Sequence, residues 1–331
     1  MLNYRPKMFN EASKSHASKN IAIIILCFIA VFLVIQLLES IVPTVMGFKP
    51  LLEAVSGIEL IDESGNYNIG EYTDAALRIY SRDDLMLATL FSTVLGTICS
   101  LIYCRCIEMR NVRSMGARKP GFLAHYGSGL LVGIVLMTAI SLLGLIFGVN
   151  SIKLSDEIKF GTIGLYLLGF VVQGMSEEFI FRGYLMTTIG GSGQHTITAV
   201  GISAVGFALA HAANPGFGIL PFFNLTLFGV FAALYMILFD NIWGVCAIHS
   251  IWNFTQGNFY GISVSGTSQT PSIFRTTAKS SSDFLTGGRF GIEGSIFTTI
   301  VLLIATAAVL YGISKKSASN AAAAPSEAAN G

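Results

Sequence analysis

Two adjacent carboxylates and an arginine stand inside an apolar run. Gly174–Tyr184 reads GMSEEFIFRGY and sets Glu177, Glu178 and Arg182 between Phe170, Val171 and Val172 on one side and Leu185 and Met186 on the other. Ionisable groups at membrane depth cost about 3 kcal/mol each on insertion scales and face a protein interior or a wet cavity. On a helix, Glu178 and Arg182 are four apart and share one face, acid first, the favourable order for an ion pair. Glu177 points about 100° away. Arg182 is therefore expected to pair with Glu178 and to leave Glu177 free. A free intramembrane carboxylate is a candidate general base.

Three more polar side chains are hard to explain as lipid-facing. His211 ends the stretch GFALAHAANP, and His249 and Asn253 stand four apart in AIHSIWNF, on one helix face. A glutamate deprotonates water, imidazoles bind a metal or assist proton transfer, and an amide and an imidazole donate to a developing oxyanion. Together they describe amide hydrolysis inside a membrane. Each alone has a structural explanation: a Glu–Arg pair glues helices, and a membrane His or Asn bonds across to a neighbour. Their joint occurrence between Glu177 and Asn253 favours the site. His16, His125 and His195 lie in a polar arm or at helix ends and carry no such weight.

The elements that must position these groups are membrane helices. Of the 331 residues, 53% are hydrophobic and only 12% charged, against about 25% charged in a soluble domain. The fold class is all-α, a polytopic membrane helical bundle of about eight transmembrane helices. The expected spans are 21–38, 85–104, 122–149, 161–189, 195–213, 217–239, 242–256 and 295–313. The first reads as a retained signal anchor rather than a cleaved signal peptide. Gly129 and Gly133 give the third a GxxxG spacing suited to close helix contact. The division of the chain is a polar cytoplasmic arm over 1–20, two membrane helices with an acidic outer loop over 21–119, a site-bearing domain over 120–315 and a disordered tail over 316–331. A Ser/Thr/Gly-rich segment over 257–292 is expected to be a mobile loop. The five cysteines are odd in number and lie in or beside apolar segments, which is no secreted disulfide framework. Net charge is +1 with no basic cluster, which points away from nucleic acid. Lys and Arg in the N-terminal arm, the 105–119 loop and Lys315–Lys316 fall on one side of the eight-span count. Both termini are therefore expected in the cytoplasm of a multi-pass protein of the cell membrane.

Here the sequence resembles a known family. EEFIFR fits the EExxxR motif of the CPBP intramembrane proteases, also called the Abi or CAAX-protease-like family. FALAH (Phe207–His211) fits its FxxxH motif and HSIWN (His249–Asn253) its HxxxN motif, in the same order and at similar spacing. NFTQG (Asn253–Gly257) and GGRFGIEG (Gly287–Gly294) also resemble stretches of prokaryotic members. The likeness covers about residues 120–315. It implies an endopeptidase in which Glu177 activates water, His211 supports the base, and His249 and Asn253 form the oxyanion site. The implied partners are a peptide or membrane-protein substrate and the lipid bilayer. Two chemistries stay open, a glutamate-dependent one and one in which His211 and His249 hold a zinc ion with a glutamate. No HExxH is present, so a zincin site is absent.

Depth leaves a strain. Glu177 lies about 16 residues, roughly 24 Å, into a helix entering from outside, and His249 about 12 Å in from the cytoplasm. His211 would lie about 24 Å from the cytoplasmic side, out of level with both unless the fifth helix starts late. Three rival readings are a rhomboid-like nucleophile at Ser192 in GGSG, a proton-coupled transporter using Glu177 or Glu178, and a non-catalytic scaffold or immunity protein of the same fold. The transporter lacks the internal repeat that such folds carry.

Overall fold

The computed structural model describes residues 4–59, 61 and 67–322. The chain is a helical membrane bundle, as its composition requires. Six helices are long and apolar enough to cross a bilayer: α2 (Ile21–Val55), α4 (Asp83–Ile107), α5 (Phe122–Ile146), α6 (Phe160–Gly191), α8 (Ile219–Phe239) and α10, whose spanning part is Ile296–Ser319. α1 (Lys7–Ala12) and α3 (Ile69–Tyr80) are short helices of the N-terminal third.

The other two expected spans form helices that are too short to cross alone. α7 (Thr196–Ala210) has 15 residues and α9 (Trp243–Phe254) has 12, where a span needs about 20. The reason is visible for α9: every residue from Gly244 to Asn253 is buried. A helix enclosed by its neighbours does not need to match the lipid thickness. α9 lies between α5 and α6, and α7 lies against α8.

The GxxxG pair lets α9 approach α5. A Cβ on Gly133 would come within 2.8 Å of the Ile248 carbonyl oxygen, and one on Gly129 within 2.8 Å of the Ala247 Cβ. These contacts face the residues just before His249. Gly133→Val is expected to destabilise by about 1–3 kcal/mol, the cost of overpacking a tight contact, and is checked by a melting curve in detergent.

Several stretches read as loose are tied down. Asn20 caps α2 by accepting the Ala22 N–H, and α2 runs on to Val55 instead of ending near residue 38. In the polar arm, Met8, Phe9 and Ala12 are fully buried, and Arg5 donates to the Gly190 carbonyl (2.6 Å). The 257–292 segment carries β2 (Phe274–Ala278), which pairs antiparallel with β1 (Asn150–Leu154), Asn150 opposite Ala278. The expected mobile loop is thus a structured cover joined to the α5–α6 connection. The tail expected to be disordered from residue 316 continues α10 to Ala322; residues 323–331 lie outside the described residues. Arg110, one of the cations of the 105–119 loop, is buried and paired with Glu108.

Candidate active site

All six sequence-selected residues come together, from three helices. Glu177 and Glu178 end the α-helical part of α6, and Phe179–Met186 directly after them winds as a π-helix that carries Arg182. Such π turns are rare and recur at functional sites. A second π turn, Thr255–Phe259, follows Asn253 at the end of α9. His211 is the residue that ends α7.

Glu178 and Arg182 are wholly buried, and Arg182 Nη1 donates to Glu178 Oε1 at 3.1 Å. The guanidinium lies over the Phe207 ring, 4.5 Å from its centroid, a favourable cation–π contact. The same Glu178 oxygen is 2.9 Å from His249 Nδ1. A carboxylate only accepts, so His249 Nδ1 carries the proton of that bond and its Nε2 faces away from Glu178. Glu178 therefore orients an imidazole as well as pairing with Arg182, a second partner that helix spacing within α6 does not reveal.

His211 is fixed in the same manner. Its Nδ1 donates to the Phe207 carbonyl at 2.9 Å, so its Nε2 is also turned outward. Both Nε2 atoms face Glu177: Oε2 lies 3.8 Å from His249 Nε2 and 4.0 Å from His211 Nε2. The side chain of Glu177 is 18% exposed, whereas that of Glu178 is 0% exposed. The partly wet carboxylate is thus Glu177. Asn253 Nδ2 donates to Gln173 Oε1 at 3.0 Å. Glu177, His211, His249 and Asn253 line one cavity of about 680 Å³.

The depth strain disappears because α6 is longer than a bilayer is thick. At 32 residues it is roughly 48 Å long, so counting from its outer end misplaces Glu177. Glu177 stands 14 residues before Gly191, and His211 15 residues after Thr196. Measured from the turn that joins α6 to α7, the two are level, and no late helix start is needed.

The donor types suit zinc, and both imidazoles have the outer hydrogen bonds that orient metal ligands. Zinc bonds of about 2.0–2.2 Å hold tetrahedral donors about 3.4 Å apart, less than the 3.8 and 4.0 Å here. Among the described residues, no three His, Cys, Asp or Glu side chains form a metal-holding group.

Two lining residues escaped the sequence reading. Gln173 holds the Asn253 amide. Glu293, just after the 257–292 cover region, is buried and accepts from Ser265 N (2.6 Å), Ser265 Oγ (2.9 Å), Gln256 Nε2 (3.2 Å) and Trp252 Nε1 (3.2 Å). A lone acid in the run GGRFGIEG was the available signal. Ser192 lies away from this cavity; its hydroxyl donates to the Ile189 carbonyl, and the flanking Gly190 and Gly191 press on Phe9 and Ala12.

Residues 159–255 match the family model described as type II CAAX prenyl endopeptidase Rce1-like. No curated protein and no solved structure matches the chain. The matched segment contains the whole Glu177, Glu178, Arg182, His211, His249 and Asn253 constellation, so over this part of its length the chain is similar to the CAAX-protease-like family, on the same residues that carry the motif resemblance.

Proposed function

We propose that this protein hydrolyses a peptide bond of a peptide or membrane-protein substrate by glutamate-activated water. The observation that carries the reading is the convergence of Glu177 Oε2 with the two outward Nε2 atoms in one cavity. All three are acceptors while the imidazoles are neutral. Gaps of 3.8 and 4.0 Å are too long for direct hydrogen bonds and suit a shared donor such as water. Glu177 takes the proton from that water as the oxygen attacks the scissile carbonyl. His249, when protonated, donates from Nε2 to the oxyanion, and Glu178 stabilises the imidazolium from the other side. Asn253 offers its remaining amide N–H, with Gln173 fixing its plane. Glu177 then passes that proton by way of His211 Nε2 to the leaving amine as the C–N bond breaks.

The Lys and Arg distribution supports both termini in the cytoplasm of a cell-membrane protein. It would put the covering 257–292 segment on the outer face.

The test is cleavage of a quenched peptide library by purified protein in detergent, with and without a zinc chelator. Turnover is expected in both, and His249→Ala is expected to abolish it in a protein that still inserts. About one equivalent of zinc, lost in both His211→Ala and His249→Ala along with activity, would replace the glutamate mechanism with a metal one. Absence of any cleavage, with net proton-coupled uptake instead, would favour the transporter.

A further inference from the structure

The cavity that holds Glu177 reaches beyond the matched segment to α2. Glu39 and Gln36 of that helix line it, together with Ser176, the residue before Glu177. Gln36 Nε2 donates to Glu39 Oε2 at 3.2 Å. Glu39 Oε1 is buried and has no hydrogen-bond partner among the described residues. Ser176 is wholly buried, and its Oγ is likewise without a partner. Both oxygens crowd the bare Cα of Gly96, where a Cβ would lie 2.8 Å from Glu39 Oε1 and would also strike Ser176 Oγ. α2, α4 and α6 thus meet at a glycine that leaves room for both oxygens. Among the described residues no cation lies within ion-pair distance of Glu39. Among the described residues, Arg289, which is exposed, is the one Lys or Arg in the cavity wall.

A carboxylate at membrane depth without a counter-charge is costly, and a buried acceptor left unpaired costs the desolvation of that atom. Two such oxygens on residues that line a substrate-sized cavity match a ligand group that brings several N–H donors and a positive charge. We propose that Glu39, with Ser176 and Gln36, is a specificity subsite that receives a lysine or arginine side chain of the peptide substrate. The inference rests on the endopeptidase reading and deepens it, because α2 would then select the substrate that the α6–α7–α9 machinery cuts. Lysine fits the pair of acceptors as a compact three-donor ammonium, and arginine as a planar fork.

The experiment uses quenched peptides of one sequence that differ at one position, scanned on both sides of the bond cut, carrying Lys, norleucine or Glu. For the wild type, kcat/KM is expected to favour Lys over norleucine at one position. In Glu39→Gln the Lys-to-norleucine ratio is expected to fall roughly tenfold or more, mainly through KM, the scale of losing a charged hydrogen bond. Glu39→Lys is expected to turn the preference toward Glu. Binding of the same peptides to Glu177→Gln protein should show the same Lys preference without turnover. A ratio unchanged in Glu39→Gln, with the wild type still cutting peptides, overturns the subsite and leaves the protease reading standing. Equal losses on all three peptides assign Glu39 a structural or catalytic part and overturn it too. A wild type that cuts no peptide defeats the protease reading itself.

Discussion

Replacing Glu177 with glutamine is expected to leave a folded protein whose peptide turnover falls by about 10²-fold or more, the scale of losing a general base. Glutamine keeps the size and one acceptor oxygen of the side chain but cannot take a proton. The fold should tolerate the change, because Glu177 makes no ion pair with a permanently charged residue and its Oε2 accepts no hydrogen bond among the described residues. Its neighbours are two imidazoles at 3.8 and 4.0 Å. Removing its negative charge costs them little if they are neutral. The check is a melting curve and a peptide-cleavage rate on the same detergent preparation. An active Glu177→Gln would show that the base has been assigned to the wrong carboxylate.

Its neighbour should behave in the opposite sense on stability. Glu178→Gln and Arg182→Gln are each expected to cost about 3–5 kcal/mol, the penalty for leaving one charge of a buried pair uncompensated. Both side chains are fully buried, so water does not screen the loss. The double variant Glu178→Gln/Arg182→Gln is expected to regain much of that stability, because no orphan charge remains. It should not regain activity. Glu178 also holds His249 Nδ1 at 2.9 Å, and a glutamine there neither orients nor stabilises the imidazolium in the same way. Recovery of stability without recovery of turnover would separate the two duties of this carboxylate. Additive losses in the double variant would instead show that the pair is not an energetic unit.

The sequence alone settled what lies within one helix or follows from composition. Helix geometry makes Glu178 and Arg182 neighbours and sends Glu177 elsewhere, and the structure keeps that division. The charge content required a membrane bundle, and the runs around six of the eight expected spans became long helices. What one helix presents to another was not legible. Hydropathy treats a lipid-facing leucine and a protein-enclosed one alike, so it could not tell that α9 is surrounded and therefore short. Counting residues from a helix end assumed a helix of bilayer length, and the 32-residue α6 broke that assumption for the level of His211. The partner that Glu178 finds in His249, 71 residues on, depends on how α9 lies against α6. So does the pairing of Asn253 with Gln173. Only the packed bundle brings Glu39 of α2 into the same cavity as Glu177. No local period links residues 138 positions apart. Their meeting is decided by small residues such as Gly96, whose missing side chain lets three helices close on one point.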